Sequence, residues 1–532
     1  MIMLKKVTVA VSAALFSGVV SAQAPSVVPD IEIFMSGASA QDKGIAALFD
    51  NLCVAGTLDT FKDNANPAKP GKGYSAYFCT LDNAKVPGLT LTNPSVLFHK
   101  RSAGGSAQGV NPVIDEVSIE AMDINNTANV AAGNCTETAA GSHDWRCTID
   151  QPGDLIFRVS DAGVSDVNPE MFVGENTPAN NNPVNAADVA NKMVVTPAAA
   201  VVFGIPATRG LRDALQEAEV AAGILDAGCT AQPSRTGSAT VDPTGDVRES
   251  EACMPSMTKA QVSAIMAGRM KNWSSFLVNG TPLTAVASNA PAQTQVTVCR
   301  RVNGSGTQAQ MNAKFLHYPC TTNAYRPASA GNPFQGPIIG LNSGSGDVSA
   351  CLNDWDNNTN ATGFNASTTN GGLVIVPGRR WAIGLQSTEK NADLFDDFRF
   401  VKIDGVAPTL KNAASGKYFD AVEQTFQWRK PAFNGPTGDM LAILSTIANS
   451  ASSPDILSTN LNPSFLHSFG QAGYLALTTN GNSIDADTVT AGVQIDYTTH
   501  PVTSLTHKTT SGLLDNCIAP VIDSSNPDTP LF

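Results

Sequence analysis

The seven residues from Arg301 to Thr307, RVNGSGT, set a guanidinium, two hydroxyls and two glycines between a strand-like run at 296–300 and a helical run at 308–316. Each part has a use toward an oxyanion. Arginine offers a planar fork of donors, and Ser305 and Thr307 offer hydroxyls. Gly306 lets the backbone come close, and a helix start presents N–H groups that have no partner within the helix. Three further segments carry related chemistry. Small residues at 36–41 (SGASAQ) follow a strand-like run at 31–35 and lead into a helical run at 41–51. The glycine and serine loop at 101–110 (RSAGGSAQGV) follows the strand-like run 96–100. It lacks the Gly-Lys-Ser/Thr ending of a nucleotide-hydrolysing loop, which argues against ATP chemistry. The segment 161–169 (DAGVSDVNP) sets Asp166 as a lone carboxylate on a turn after the run 155–159, where an exposed turn aspartate is the plain alternative.

These segments need elements to hold them. Short strand-like and helical runs alternate along the chain, the pattern of α/β lobes rather than a sandwich or a bundle. A chain of 532 residues is too long for one ordinary core, so two lobes are expected. Between the runs lie polar tracts rich in Asn, Gly, Ser, Thr and Pro at 63–73, 121–150, 228–251 and 342–372, read as surface insertions. With 46 acidic against 33 basic side chains and no basic run longer than two, nucleic acid and anionic membrane surfaces are poor partners. Lys5, Lys6, the apolar stretch 7–20 and the small residues 21–24 read as a secretory signal over residues 1–22, with cleavage after Ala22. The stretch is too short to span a membrane, and none other in the chain is long and apolar enough. Ten cysteines, none in a CxxC, in an exported chain argue for disulfides. Neighbouring pairs are expected: Cys53–Cys79, Cys135–Cys147, Cys229–Cys253 and Cys320–Cys351. The six histidines form no metal-binding pair, and no GxSxG elbow is present. At 257–273, Thr258 and Gln261 fit a capping box, Val262, Ile265 and Met266 a buried stripe, and Gly268 a helix stop.

Seven blocks in order resemble the phosphate-binding proteins of bacterial ABC importers, a branch of the type II periplasmic binding proteins. They are SGASA at 36–40, GGSAQGV at 104–110, GVSD at 163–166, MTKAQVSAIMAGRMKNW at 257–273, RRVNGSGT at 300–307, WAIGLQS at 381–387 and VKIDGVAPTLKNAASGKYF at 401–419. The resemblance implies an α/β, two-lobed fold with a cleft between the lobes and disulfide-stapled insertions. It implies one lobe from 23–195 with 426–532 and another from 196–425, the chain crossing near Thr196-Pro197 and returning near 422–430. It further implies that Ser39, Ala40, Ser106, Asp166, Arg301, Ser305, Gly306 and Thr307 contact a small inorganic oxyanion, phosphate. In that family a carboxylate accepts the proton of a protonated phosphate and so rejects sulfate; Asp166 holds that place. Where the family commonly has an aspartate beside the arginine, this chain has Asn303. An exported binding protein needs no cofactor and no turnover, and an ABC permease is the partner such proteins serve. Two alternatives stay open at this point: an exported structural or adhesive protein that keeps the fold without the anion, and a phosphatase-like enzyme.

Overall fold

The computed structural model describes residues 27–63, 73–124, 135–149, 152–229, 247–329, 336–370, 373–484 and 496–523. The signal reading at 1–22 lies outside them. Nine strands form the two sheets that matter here: β1 (Ile31–Gly37), β2 (Ser95–Arg101), β3 (Ala162–Ser165), β4 (Met193–Thr208), β5 (Thr297–Arg301), β6 (Ile338–Asn342), β7 (Ala382–Gly384), β8 (Phe398–Ile403) and β9 (Ala421–Arg429). The first sheet runs in the order β2–β1–β3–β9–β4, with β1 parallel to β2 and β3, and β9 antiparallel to β3 and β4. The second runs β6–β5–β7–β4–β8, with β5 parallel to β6 and β7, and β4 antiparallel to β7 and β8. The two orders are the same arrangement twice. Parallel strands packed on both faces explain the apolar run of β2 from Val96 to Phe98, while its charged residues gather at its carboxyl end, as do those of β5.

One strand belongs to both sheets. The 16 residues of β4 pair with β9 through Met193–Val202 and with β8 through Ile205–Thr208, with a register shift between Pro197 and Ala200. The crossing expected near Thr196-Pro197 thus falls inside a continuous strand, and all but the last residue of the return expected at 422–430 lies in β9, whose partners are all in the first sheet. The expected two-lobed α/β fold is what these pairings build. On its outer side the first sheet continues through Tyr74–Thr80, Asp59–Lys62 and Asp144–Cys147. On the β4 side it continues through Tyr474–Leu477 and Val502–Thr503.

Helix α1 (Asp42–Leu52) follows β1 and buries Ile45, Leu48, Phe49 and Leu52, one face at helical spacing. The expected capping box forms: Gln261 N–H donates to Thr258 Oγ1 at 3.1 Å and Thr258 N–H donates to Gln261 Oε1 at 2.8 Å. Val262, Ile265 and Met266 are buried beneath it, and Gly268 ends the segment at φ +69°. Helix α2 (Gly306–Leu316) follows β5.

Three expectations are corrected. The tract 121–150 is not only a surface insertion, because Asp144–Cys147 joins the first sheet and Met122, Ile124, Cys147 and Ile149 are buried with Phe61 and Phe78. The tract 342–372 is not only surface loop, because it contains helix α3 (Ser345–Asn357), whose Val348, Cys351, Leu352 and Trp355 are buried in a core with Phe398 and Phe400. Cys351 therefore faces β5 and bonds to Cys299, not to Cys320. Cys320 bonds instead to Cys517, 197 residues away. The other three expected pairs, Cys53–Cys79, Cys135–Cys147 and Cys229–Cys253, are present. Among the described residues no helix is long and apolar enough to cross a membrane.

Candidate functional site

The carboxyl ends of β1, β2 and β3 in the first sheet and of β5 in the second bring the four chemical segments together. Asp166 is at the centre and wholly buried, so the exposed-turn alternative does not hold. Its Oδ2 accepts from Thr307 Oγ1 at 2.9 Å and its Oδ1 from Gln424 Nε2 at 3.3 Å. Its N–H donates to Ser106 Oγ at 3.2 Å. Burial pushes the Asp166 carboxyl above the usual carboxylate range, against the opposing pull of Thr307, Arg301 and Gln424.

The start of α2 comes against the loop after β2. A side-chain carbon placed on Gly306 would lie 2.3 Å from Ser106 Oγ and 2.9 Å from Asp166 Cβ, so only glycine fits there. Ser305 caps α2 by accepting from Gln308 N–H at 3.3 Å. Its hydroxyl is thereby engaged with the helix, while the N–H groups of Gly306 and Thr307 belong to a first turn that has no carbonyl for them. Ala107 N–H donates to Gly304 O at 2.8 Å, which ties the two loops directly.

Arg301 is buried and held by oxygens that carry no full charge. Its Nε donates to Asn342 O at 3.3 Å, one Nη to Ser345 Oγ at 3.2 Å and the other to Ser343 O at 2.6 Å. Burial lowers its pKa, while Asp166, Asp347 and Asp42 pull the other way from a distance. Asn303, in the place of the family's aspartate, does not touch Arg301: its Oδ1 accepts from Arg300 at 3.0 Å. Ser39 joins this side, its Oγ lying 3.2 Å from Ser345 Oγ and accepting from Ser345 N–H at 3.3 Å. Ala40 is buried in the same loop, with its carbonyl accepting from Tyr474 OH at 2.9 Å.

All eight expected residues are therefore buried in two touching groups: Ser106, Asp166, Gly306 and Thr307 in one, and Arg301, Ser39 and, through α3, Ser345 in the other, with Ser305 and Ala40 flanking. Several residues with no local sequence signal complete the surroundings. Lys100 is buried, 3.1 Å from Asp42 Oδ1, and its Nζ donates to the carbonyls of Gly37 and Ala38 at 3.3 and 3.2 Å, which braces the first loop. Gln424 reaches in from β9, and Gln386 Nε2 donates to Ser345 O at 2.7 Å. Behind Ala40, the Tyr474 hydroxyl is also 2.8 Å from Glu389 Oε2, so its one hydrogen is shared between that oxygen and the Ala40 carbonyl, and Lys390 Nζ lies 2.7 Å from Glu389 Oε1. Burial opposes the charge of Lys390, but the Glu389 carboxylate outweighs it and the lysine pKa is raised. The lysines at 100 and 390 each have a carboxylate partner. Among the described residues Arg301 and Asp166 make no close ion pair, and these two opposite charges act on each other from a distance.

No family model matches the chain, and no curated protein matches it. Among solved structures, it is similar to a putative phosphate ABC transporter substrate-binding protein from Clostridium perfringens with bound phosphate, at 13% identity over 81% of this chain and 96% of that one, TM-score 0.37. It is similar to PstS from Borrelia burgdorferi at 10% identity over 81% and 97%, TM-score 0.30. It is likewise similar to an ABC-type phosphate transport receptor from Vibrio cholerae at 12% identity over 78% and 93%, TM-score 0.32.

Proposed function

We propose that this protein is an exported solute-binding protein that captures a tetrahedral oxyanion, phosphate, between its two lobes without chemical turnover, and hands it to an ABC permease. The observation that carries the reading is the fully buried pair Arg301 and Asp166, opposite charges that among the described residues make no close ion pair and are set among hydroxyls and a helix start. Arg301, the hydroxyls of Ser39 and Ser106 and the first N–H groups of α2 supply donors for the unprotonated oxygens, while the Thr307 hydroxyl donates to Asp166. Asp166, an acceptor when ionised, takes the one hydrogen of a singly protonated anion. Sulfate at neutral pH has no hydrogen to offer and would leave a buried acceptor facing another acceptor, a cost of about 1–3 kcal/mol or more. Burial of both charged groups away from water strengthens each contact.

The test is the melting temperature of the oxidised protein with millimolar phosphate, arsenate or sulfate, since a ligand that binds only the folded state raises it. The expected result is a rise with phosphate and arsenate but not sulfate, lost in Arg301→Met. No shift with any oxyanion would refute the reading and favour a structural or adhesive role for the same fold.

A further inference from the structure

We propose that the C-terminal segment 502–523 is a strap that fastens the two lobes along one edge of the cleft and limits how far they can part, with Cys320–Cys517 as its covalent fastening. The segment makes contacts that alternate between the lobes. Val502–Thr503 extends the first sheet beside Tyr474–Leu477. His507 then lies between the Glu423 carboxylate on β9 and the Lys314 ammonium near the end of α2, in the second lobe. Its own N–H donates to Glu423 Oε1 at 2.7 Å. Asn516 returns to the first lobe, exchanging two hydrogen bonds with Asn168: Asn168 N–H to Asn516 Oδ1 at 2.7 Å and Asn516 N–H to Asn168 Oδ1 at 3.1 Å. The next residue, Cys517, is bonded to Cys320, four residues past the end of α2.

The geometry leaves little slack. Asn516 and Cys517 are consecutive, about 3.8 Å apart at Cα, and the Cα atoms of Cys320 and Cys517 are 5.2 Å apart. One peptide unit and one disulfide therefore span from the loop two residues beyond Asp166 to the segment that follows α2. The start of α2 carries Ser305, Gly306 and Thr307, and its far end is held by Lys314 and Cys320. Parting the lobes along this edge has to break the Asn168–Asn516 pair and draw the strap away from Glu423. The chain already crosses between the lobes within β4 and again in the segment 404–420 that leads from β8 into β9, and hinge motion needs only a few residues of such crossings to bend. A third connection, closed covalently across 197 residues, removes part of that freedom.

The experiment is small-angle X-ray scattering of the oxidised protein in oxyanion-free buffer, so that its outcome does not depend on which ligand is bound. Three forms are compared: the unaltered chain, the Cys320→Ser/Cys517→Ser double variant, and a chain with a protease site inserted in the exposed turn at 510–513 and cut after folding. The cut form keeps all five disulfides and breaks only the continuity of the strap, which covers a double variant that fails to fold. Far-ultraviolet circular dichroism checks each form. A compact chain of this length has a radius of gyration of about 24 Å. The expected result is a rise of about 1 Å on that base in the double variant or the cut form. A radius unchanged from that of the intact protein in every folded form overturns the proposal.

Discussion

Asp166→Asn separates what the carboxylate does for a ligand from what it does for the fold, and the two effects should have opposite signs. The substitution keeps the size of the side chain. In the protein each carboxylate oxygen accepts one donor, from Thr307 at 2.9 Å and from Gln424 at 3.3 Å, yet burial outweighs them and raises the pKa. A carboxyl whose folded pKa lies above its unfolded value binds more protons when folded, so its contribution to stability falls as pH rises above 3.8. At pH 8 the ionised group is a net cost, which asparagine removes while giving up one matched donor. The melting temperature at pH 8 should therefore hold or rise, and should gain more at pH 8 than at pH 4. The ligand side runs the other way. A hydrogen bond from a protonated oxyanion to a carboxylate contributes about 1.5–3 kcal/mol, so phosphate should bind about 10- to 150-fold more weakly. Sulfate loses the repulsion it meets in the parent protein, so the preference for phosphate over sulfate should fall by more than the phosphate affinity does. Isothermal titration calorimetry with both anions, alongside melts at pH 4 and 8, reads all of this. A drop of several degrees at pH 8 with an unchanged phosphate-to-sulfate ratio would refute the argument and leave Asp166 a packing residue.

Gly306→Ala should destabilise the protein by about 1–3 kcal/mol in urea unfolding, because the added carbon meets Ser106 Oγ at 2.3 Å and the loop behind it cannot simply turn aside. It should also abolish the anion-dependent rise in melting temperature. Asp420 is fully buried, and burial pushes its carboxyl up to about 7 against the opposing charge of Lys314 and Lys259. Its ionisation costs stability as pH rises between 3.8 and about 7, so Asp420→Asn should flatten the stability curve there and gain up to roughly 4 kcal/mol at pH 8 relative to pH 4. Thr258→Ala removes the reciprocal cap and should cost about 1 kcal/mol without changing anion binding.

The parts of this protein that the sequence makes legible are those encoded within a few residues. The strand–loop–helix units at 31–52 and 297–316, and the cap of Thr258 with Gln261, depend on local spacing and appear where the spacing puts them. Helix α3 also had a local signal, apolar residues at 348, 351, 352 and 355, but the surrounding Asn, Gly and Ser residues masked it. Without a helix to give Cys351 a face, sequence distance favours Cys320, whereas the fold turns Cys351 toward Cys299 on β5. The burial of Asp166 could not be read from its own turn, because it comes from Thr307 and Gln424, 141 and 258 residues away. Lys100 is similar: a lysine at the end of an apolar strand reads as its exposed tip, and only the fold of the first loop over it supplies Asp42 and two carbonyls.

The sharing of β4 between both sheets also sets an order of assembly. During synthesis the amino-terminal strands emerge first, but their sheet stays incomplete until β4 and then β9 have been made, and its β4 side until Tyr474–Leu477 and Val502–Thr503 follow. The second sheet, drawn from 205–403, has all its strands well before that. The middle of the chain can thus settle first and offer the latter half of β4 already fixed, a template on which the sheet begun earlier is finished last. The Cys320–Cys517 bond joins this settled middle to a segment made after every strand of both sheets, so it cannot close before they have been made.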